Sequence, residues 1–242
     1  MTLPTLLIIC STIAFLLLER IFPGRNLPHA PGWYARALMI NLAQLGITLA
    51  TGQMWLELLG RVSLFELGSW SSGLAGGFVA WFIGTFVFYW WHRVRHLPGF
   101  WRTFHQLHHS PSRIEILTSF YKHPVEIFTN SLLSAIILYP LLGCSLIGAV
   151  WYNFFAATGE YFYHANLRTP KWLRYFIQTP ELHSIHHQLD VHRYNYSDIP
   201  IWDRLFGTYK DTTNFVDQCG FPGSNETRLR EMLLFRDVYE TG

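Results

Sequence analysis

The sequence predicts an all-α protein: a polytopic bundle of membrane-spanning helices carrying a cytosolic cap of histidine-rich helices. Three observations predict it. Of 242 residues, 50% are hydrophobic, 17% aromatic and only 14% charged, whereas a soluble domain carries about 25% charged residues. The apolar residues gather in runs long enough to cross a bilayer as helices. Eleven of the 12 histidines fall between His92 and His192, many of them three or four apart, a spacing that places side chains on one face of a helix.

We read residues 1–242 as one integral membrane domain with five spans. Leu3 to Leu18 is apolar apart from small hydroxyl residues, and Glu19-Arg20 closes it. No basic residue precedes this run and no small-x-small cleavage site follows before Pro23, so a retained span over 3–19 is expected rather than a signal peptide. A second span, 37–59, carries Asn41, Gln44, Gln53 and Glu57. The third, 73–91, ends in Phe88-Tyr89-Trp90-Trp91, an aromatic end suited to the membrane interface. Val125 to Tyr163 is apolar for twice the length of one span, and Pro140 and Gly143 divide it into 125–142 and 144–163, with Pro124 in the first turn of the former. Residues 92–123 and 164–210 form the cap. In the tail, 211–242, the stretch Glu226 to Tyr239 has the pattern of an amphipathic helix.

Charge orients this arrangement. If the third span delivers its histidines to the cytoplasm, then of 18 Lys and Arg residues only Arg61 lies outside, in accord with the positive-inside rule. A net charge of +2 implies no basic surface for nucleic acid. Cys10, Cys144 and Cys219 are odd in number and scattered, which supports neither a disulfide framework nor a zinc ribbon.

The candidate chemistry lies in three motifs: His92-x-x-x-His96, His105-x-x-His108-His109 and His183-x-x-His186-His187. Clustered imidazoles would repel one another if protonated, and packing gives no reason to collect them. Neutral imidazole suits iron, copper, zinc or nickel, and so many donors oversupply one ion, so two metal ions close together are expected. His164, delivered by the fifth span, is a ninth candidate. His123 starts a helix on the same side, and His192 follows the last motif but breaks its spacing. For these two, ligation and ordinary hydrogen bonding are equal readings, whereas His29 reads as an interfacial residue. Glu160, one turn before His164 in an apolar run, is expensive to bury. It reads as a ligand, as an acceptor that orients a histidine N–H, or as a residue snorkelling to the interface.

HRVRH, HQLHH and HSIHH, followed by Asn195-Tyr196 and by IWDRLFGTY from Ile201 to Tyr209, resemble the fatty acid hydroxylase and sterol desaturase superfamily of membrane di-iron enzymes. The early LLLERIFP resembles it too, and the resemblance covers roughly residues 10 to 210. It implies a helical membrane base whose cytosolic cap holds two Fe ions, with O2 as co-substrate. The ligands it implies are His92, His96, His105, His108, His109, His183, His186 and His187, with His164 ahead of the last motif. Relatives can carry another histidine one turn before that position; here Glu160 stands there, leaving a tenth ligand open, and Asn195 joins Glu160 as a residue expected to support the ligands.

The activity this implies is O2-dependent hydroxylation of a C–H bond in a fatty acyl, sterol or other lipid, with desaturation as the alternative. A membrane metal-binding or transport protein is the reading from another class, and a zinc hydrolase of lipids a third. Iron is the redox-capable choice, whereas zinc acts only as a Lewis acid or makes hydroxide. The chain has no dinucleotide fingerprint and no iron–sulfur ligand set, so electrons must come from an outside ferredoxin or small cytochrome with its reductase. Arg102, Arg113, Arg168 and Arg174 are candidates to dock such a carrier or anionic lipid heads. Trp81, Phe86, Phe88, Trp151, Phe154 and Phe155 read as the lining of a dry path for the lipid or as ordinary lipid-facing packing. The short cap suggests a bacterial inner-membrane enzyme.

Overall fold

The computed structural model describes residues 1–67, 70 and 73–239. Four residues of the expected linker before the third span, and the last three of the tail, lie outside them. Among the described residues the chain is helical, with one isolated β-bridge between Gln188 and Cys219. Five long helices form the base: α1 (Leu3–Ile21), α2 (Trp33–Leu59), α3 (Leu74–Arg95), α5 (Pro124–Leu141) and α6 (Leu146–His164). Between them, α4 (98–109) passes through a π-helical turn, Trp101–His105. The cap adds α7 (Pro180–His186), α8 (Pro200–Leu205) and α9 (Leu229–Leu233).

α1, α3 and α5 are long and apolar enough to cross a membrane; α2 and α6 have the length but more polar positions. The base is also apolar on its outside. On α2, Leu38, Leu42, Leu45 and Leu49 are all more than half exposed, a continuous apolar stripe of the kind that faces lipid.

The helices start where the sequence supplies caps. Ser145 Oγ accepts from the Gly148 amide (3.2 Å) to open α6, and Thr179 with Pro180 opens α7. Inside α5, Pro140 cannot donate to the preceding turn, and the helix widens into a π turn over Ile137–Leu141. The carbonyls of Pro140, Leu141 and Leu142 accept instead from the amides of Leu64, Phe65 and Leu67 at 2.9–3.0 Å, tying the linker after α2 to the end of α5.

α3 packs on α6 through small residues. A Cβ on Gly77 would lie 2.5 Å from Trp151 Cβ and 2.7 Å from the Gly148 carbonyl oxygen, so the two backbones meet where only glycine fits. This contact fixes the height of α6, and therefore of His164, against the histidines leaving α3. Trp81, Trp151, Phe154 and Phe155 pack ring against ring at this seam, whereas Phe86 packs on Trp202 of α8.

The cap is anchored by buried carboxylates. Glu19 Oε2 accepts from the amides of Ile116 (3.0 Å) and Asn166 (3.1 Å). Glu115 accepts from Trp33 Nε1 and pairs with Arg20 (2.8 Å) and Arg113 (3.0 Å). The helix expected over 226–239 is confined to Leu229–Leu233, because Phe235 turns left-handed (φ 60°) and the chain beyond unwinds to bond Gln106 of α4.

Gly77→Val should cost at least the ~1–3 kcal/mol of an overpacked core, read as a lower thermal midpoint in detergent. Gly46→Ala, where an added Cβ meets nothing within 4 Å, should leave that midpoint unchanged or raise it.

Candidate metal centre

Nine histidines converge into two groups. His92, His96, His105, His109 and His186 offer nitrogens that all lie within 4.8 Å of one another, and so do His108, His164, His183 and His187. The grouping follows from helix geometry. His108 and His109, and likewise His186 and His187, are chain neighbours whose side chains diverge by about 100°, so each pair serves both groups. The rings of His109 and His187 stack at 4.3 Å on the wall between them. α3 brings His92, its C-cap is His96, α4 brings three rings, α6 brings His164, and α7 brings His183 and His186 with His187 as its C-cap.

The Nε2 atoms face inward. In the five-histidine group, His186 Nε2 is 2.9 Å from His92 Nε2, and His105 Nε2 is 3.1 and 3.2 Å from those of His96 and His109. In the four-histidine group, His164 Nε2 is 3.4 Å from that of His108 and 3.1 Å from that of His183, which is 3.1 Å from that of His187. Donors about 2.1 Å from a shared ion would be separated by about 3.0 Å in an octahedral shell and about 3.4 Å in a tetrahedral one. The observed separations span that interval.

The outer nitrogens fix the tautomers. His92 Nδ1 donates to the Tyr196 carbonyl (2.7 Å), His186 Nδ1 to the Tyr194 carbonyl (2.7 Å) and His164 Nδ1 to the Glu160 carbonyl (2.9 Å). A carbonyl only accepts, so in each neutral ring the proton is on Nδ1 and Nε2 carries a bare lone pair. His92 and His186 therefore point two lone pairs at each other across 2.9 Å, an arrangement that no hydrogen bond between neutral rings accounts for and that suits a shared cation. His105 Nδ1 lies 3.2 Å from both oxygens of Glu126, which also accepts from Arg95.

Burial keeps these rings uncharged. Desolvation holds His96, His105, His108, His109, His183 and His187 well below the ordinary histidine range, reinforced by neighbouring cations and rings, and pushes His186 down to about 3. Neutral imidazole is the form that binds metal.

The remaining candidates lie around the two groups. His192, in a left-handed conformation (φ 42°), sets its Nδ1 3.2 Å from His109 Nδ1, behind the five-histidine group. His123 caps α5, accepting from the Val125 amide (3.1 Å). Glu160 gives its carboxylate to Lys122 (2.7 Å), with its other oxygen 3.6 Å from His164 Nδ1. Asn195 bonds Leu182 and Lys210 and offers its carbonyl to Gln178 (2.6 Å), whose amide nitrogen lies 3.5 Å from His183 Nδ1.

Sequence reasoning missed Glu126 and Arg95, both fully or nearly buried. The signal was present for Glu126, an ionisable residue in the first turn of an apolar run, as Glu160 is near the end of the same run. The carbonyls of Tyr194 and Tyr196 carried no signal, since any residue supplies one. They are aimed by a segment in which Asp190, His192, Tyr194 and Asn195 all have positive φ. Asp203 of α8 holds that segment, accepting from the amides of Tyr196 (2.8 Å) and Ser197 (2.9 Å).

Comparison with known proteins covers the same stretch of chain. The profile of the fatty acid hydroxylase family matches residues 77–208, which contain every histidine of both groups. The chain is 31% identical over 215 residues to methylsterol monooxygenase 2-2 of Arabidopsis thaliana, covering 83% of this chain and 80% of that protein. It is 30% identical over 170 residues to the very-long-chain aldehyde decarbonylase GL1-7 of Oryza sativa subsp. japonica, covering 64% of this chain but only 27% of that protein. The chain thus spans about a quarter of the length of the decarbonylases it matches. Fatty acid hydroxylase domain-containing protein 2 of Macaca fascicularis is 28% identical over 124 residues, half of this chain. No solved structure matches. The chain belongs to the fatty acid hydroxylase family.

The lowered histidine pKa values set a pH dependence for the metal-stripped protein. The folded state takes up fewer protons than the unfolded chain below the ordinary value of 6.5, so stability is full above that pH and is lost as pH falls toward the folded values. Each buried ring withdraws up to about 1.4 kcal/mol per pH unit. Unfolding of the stripped protein in detergent at pH 7.5, 6.5 and 5.5 should show a steep fall below 6.5; an unchanged midpoint would contradict the burial of neutral rings.

Proposed function

We propose that this member of the fatty acid hydroxylase family is a non-haem di-iron oxygenase that hydroxylates a C–H bond of a membrane lipid. The observation that carries the proposal is the pair of bare Nε2 lone pairs on His92 and His186, one edge of a converging set of nine neutral donors. The five-histidine group would hold one ion and the four-histidine group the other. Imidazole suits several metals, and iron is the one that supplies O2 activation at such a centre when bound.

The chain's own residues orient and protect. Glu126 and the carbonyls of Tyr194 and Tyr196 hold the Nδ1 protons of His105, His186 and His92, so those rings cannot turn away or change tautomer. Eight of the nine rings are buried and His96 is half-buried, which limits the access of bulk water to the reaction. In a hydroxylation, one oxygen atom enters the C–H bond and the other leaves as water, consuming two electrons and two protons. The chain carries no nucleotide-binding fingerprint to supply the electrons, so a ferredoxin or small cytochrome with its reductase is the donor.

The relatives named for methylsterol and very-long-chain aldehyde chemistry support a long apolar lipid as substrate. The match over most of both chains to the methylsterol monooxygenase favours a sterol or similar ring lipid over the aldehyde reaction. Desaturation shares the same first hydrogen abstraction and is separated by its product. The positive-inside asymmetry supports a cytoplasmic metal site.

Purified protein is expected to hold two irons per chain, with His108→Ala and His109→Ala each losing about one. Lipids from cells expressing the wild type should contain species heavier by one oxygen, absent with either variant although both remain in the membrane. Turnover by fully demetallated protein, or under strict anaerobiosis, would refute the oxygenase; ion flux without lipid oxidation would support a transporter instead.

A further inference from the structure

α8 does not lie on top of the cap. Descending α3 from the metal centre, His92 meets Tyr196, Tyr89 stacks on Phe206 (5.4 Å), and Thr85 Oγ1 accepts from Trp202 Nε1 (2.9 Å). Phe82 and Phe86 pack on the same Trp202 ring at 6.0 and 5.0 Å. At about 1.5 Å per residue, Trp202, bonded to Thr85, therefore sits about 10 Å down α3 from His92, beside residues of an apolar helix long enough to span a membrane.

The outward surface at that level is apolar and unpartnered. Ile201 and Leu205 are 54% and 67% exposed, continuous with the exposed faces of Phe82 and Phe86 on α3. A second segment adjoins it: Arg204 donates to the Arg174 carbonyl (3.3 Å) and lies over the Tyr175 ring (5.3 Å). Around Tyr175, Trp172 and Phe176 are also more than half exposed. Cations rim these apolar side chains. Lys171, Arg204 and Lys210 are exposed, Arg204 also lies 4.5 Å over Tyr209, and Arg174 is paired with Asp211.

We infer that residues 171–176 and 200–210 form a belt sunk into the membrane surface, whose occupant is a leaflet of anionic phospholipid. The exposed Ile201 and Leu205 continue a lipid-facing helix, which fits hydrocarbon rather than a soluble partner. The aromatic and cationic rim fits the headgroup layer and its phosphates.

The test uses the full chain in nanodiscs. Nitroxides on Leu205→Cys and Phe176→Cys should collide more with O2 than with a water-soluble nickel chelate, and one on the exposed Arg230→Cys should show the reverse. In native mass spectrometry the wild type should retain phosphatidylglycerol several-fold over phosphatidylcholine. The triple variant Lys171→Glu, Arg204→Glu, Lys210→Glu should lose that preference while keeping its metal content. A Leu205 label that favours the nickel chelate would overturn the belt. So would an unchanged lipid preference in the triple variant, or loss of binding to an acidic electron carrier with lipid retention intact.

Discussion

The molecule depends on a constraint at the outer edge of four of its imidazoles. A buried neutral histidine has one proton, and where Nδ1 is bound to an acceptor, Nε2 must face inward as a lone pair. Backbone carbonyls do this for His92, His164 and His186, and a carboxylate does it for His105. Once those protons are fixed, the inner nitrogens of His92 and His186 cannot satisfy each other, an arrangement suited to a shared cation. Glu126 differs from the backbone acceptors because it brings negative charge, shared with Arg95, to the five-histidine group. The four-histidine group has Glu160, paired with Lys122, beside His164, so the two groups differ chiefly in donor number.

Holding the acceptors in place is what the rest of the chain supplies. Residues 190–195 contain four non-glycine residues with positive φ, each costing on the order of 1 kcal/mol or more where the residue is not Asn or Asp. That strain is offset by Asp203, Asn195 and Gln178, which bind this segment to α7 and α8 from several sides. The close contact of α3 with α6 at Gly77 performs the same task on the membrane side, since His92 and His164 ride on those two helices. The anchoring of the cap by Glu19 and Glu115 ties α1 and α2 to the segment that follows α4.

What was legible in the sequence was local. Spacing within a helix is written in consecutive residues, so the three motifs and the five long helices could be read directly. His164 was legible because it closes an apolar run. Features that depend on distant pairing were not. Glu126 bonds His105 and Arg95 from across the fold, and Glu160 turns its carboxylate to Lys122 while its backbone carbonyl serves His164. The pattern over Glu226 to Tyr239 was helical in period, but bonds to Gln106 outcompete its last turns. The depth of α8 was hidden for the same reason: a short segment with no spanning length is lowered along α3 by one tryptophan and one phenylalanine.

Iron K-edge X-ray absorption of the loaded protein tests the central claim most directly. The nine converging histidines predict a shell dominated by imidazole nitrogen, averaging between four and five rings per iron across the two groups. A shell of oxygen or sulfur donors with one imidazole or none would contradict it, because the inward lone pairs would then have no ion to meet.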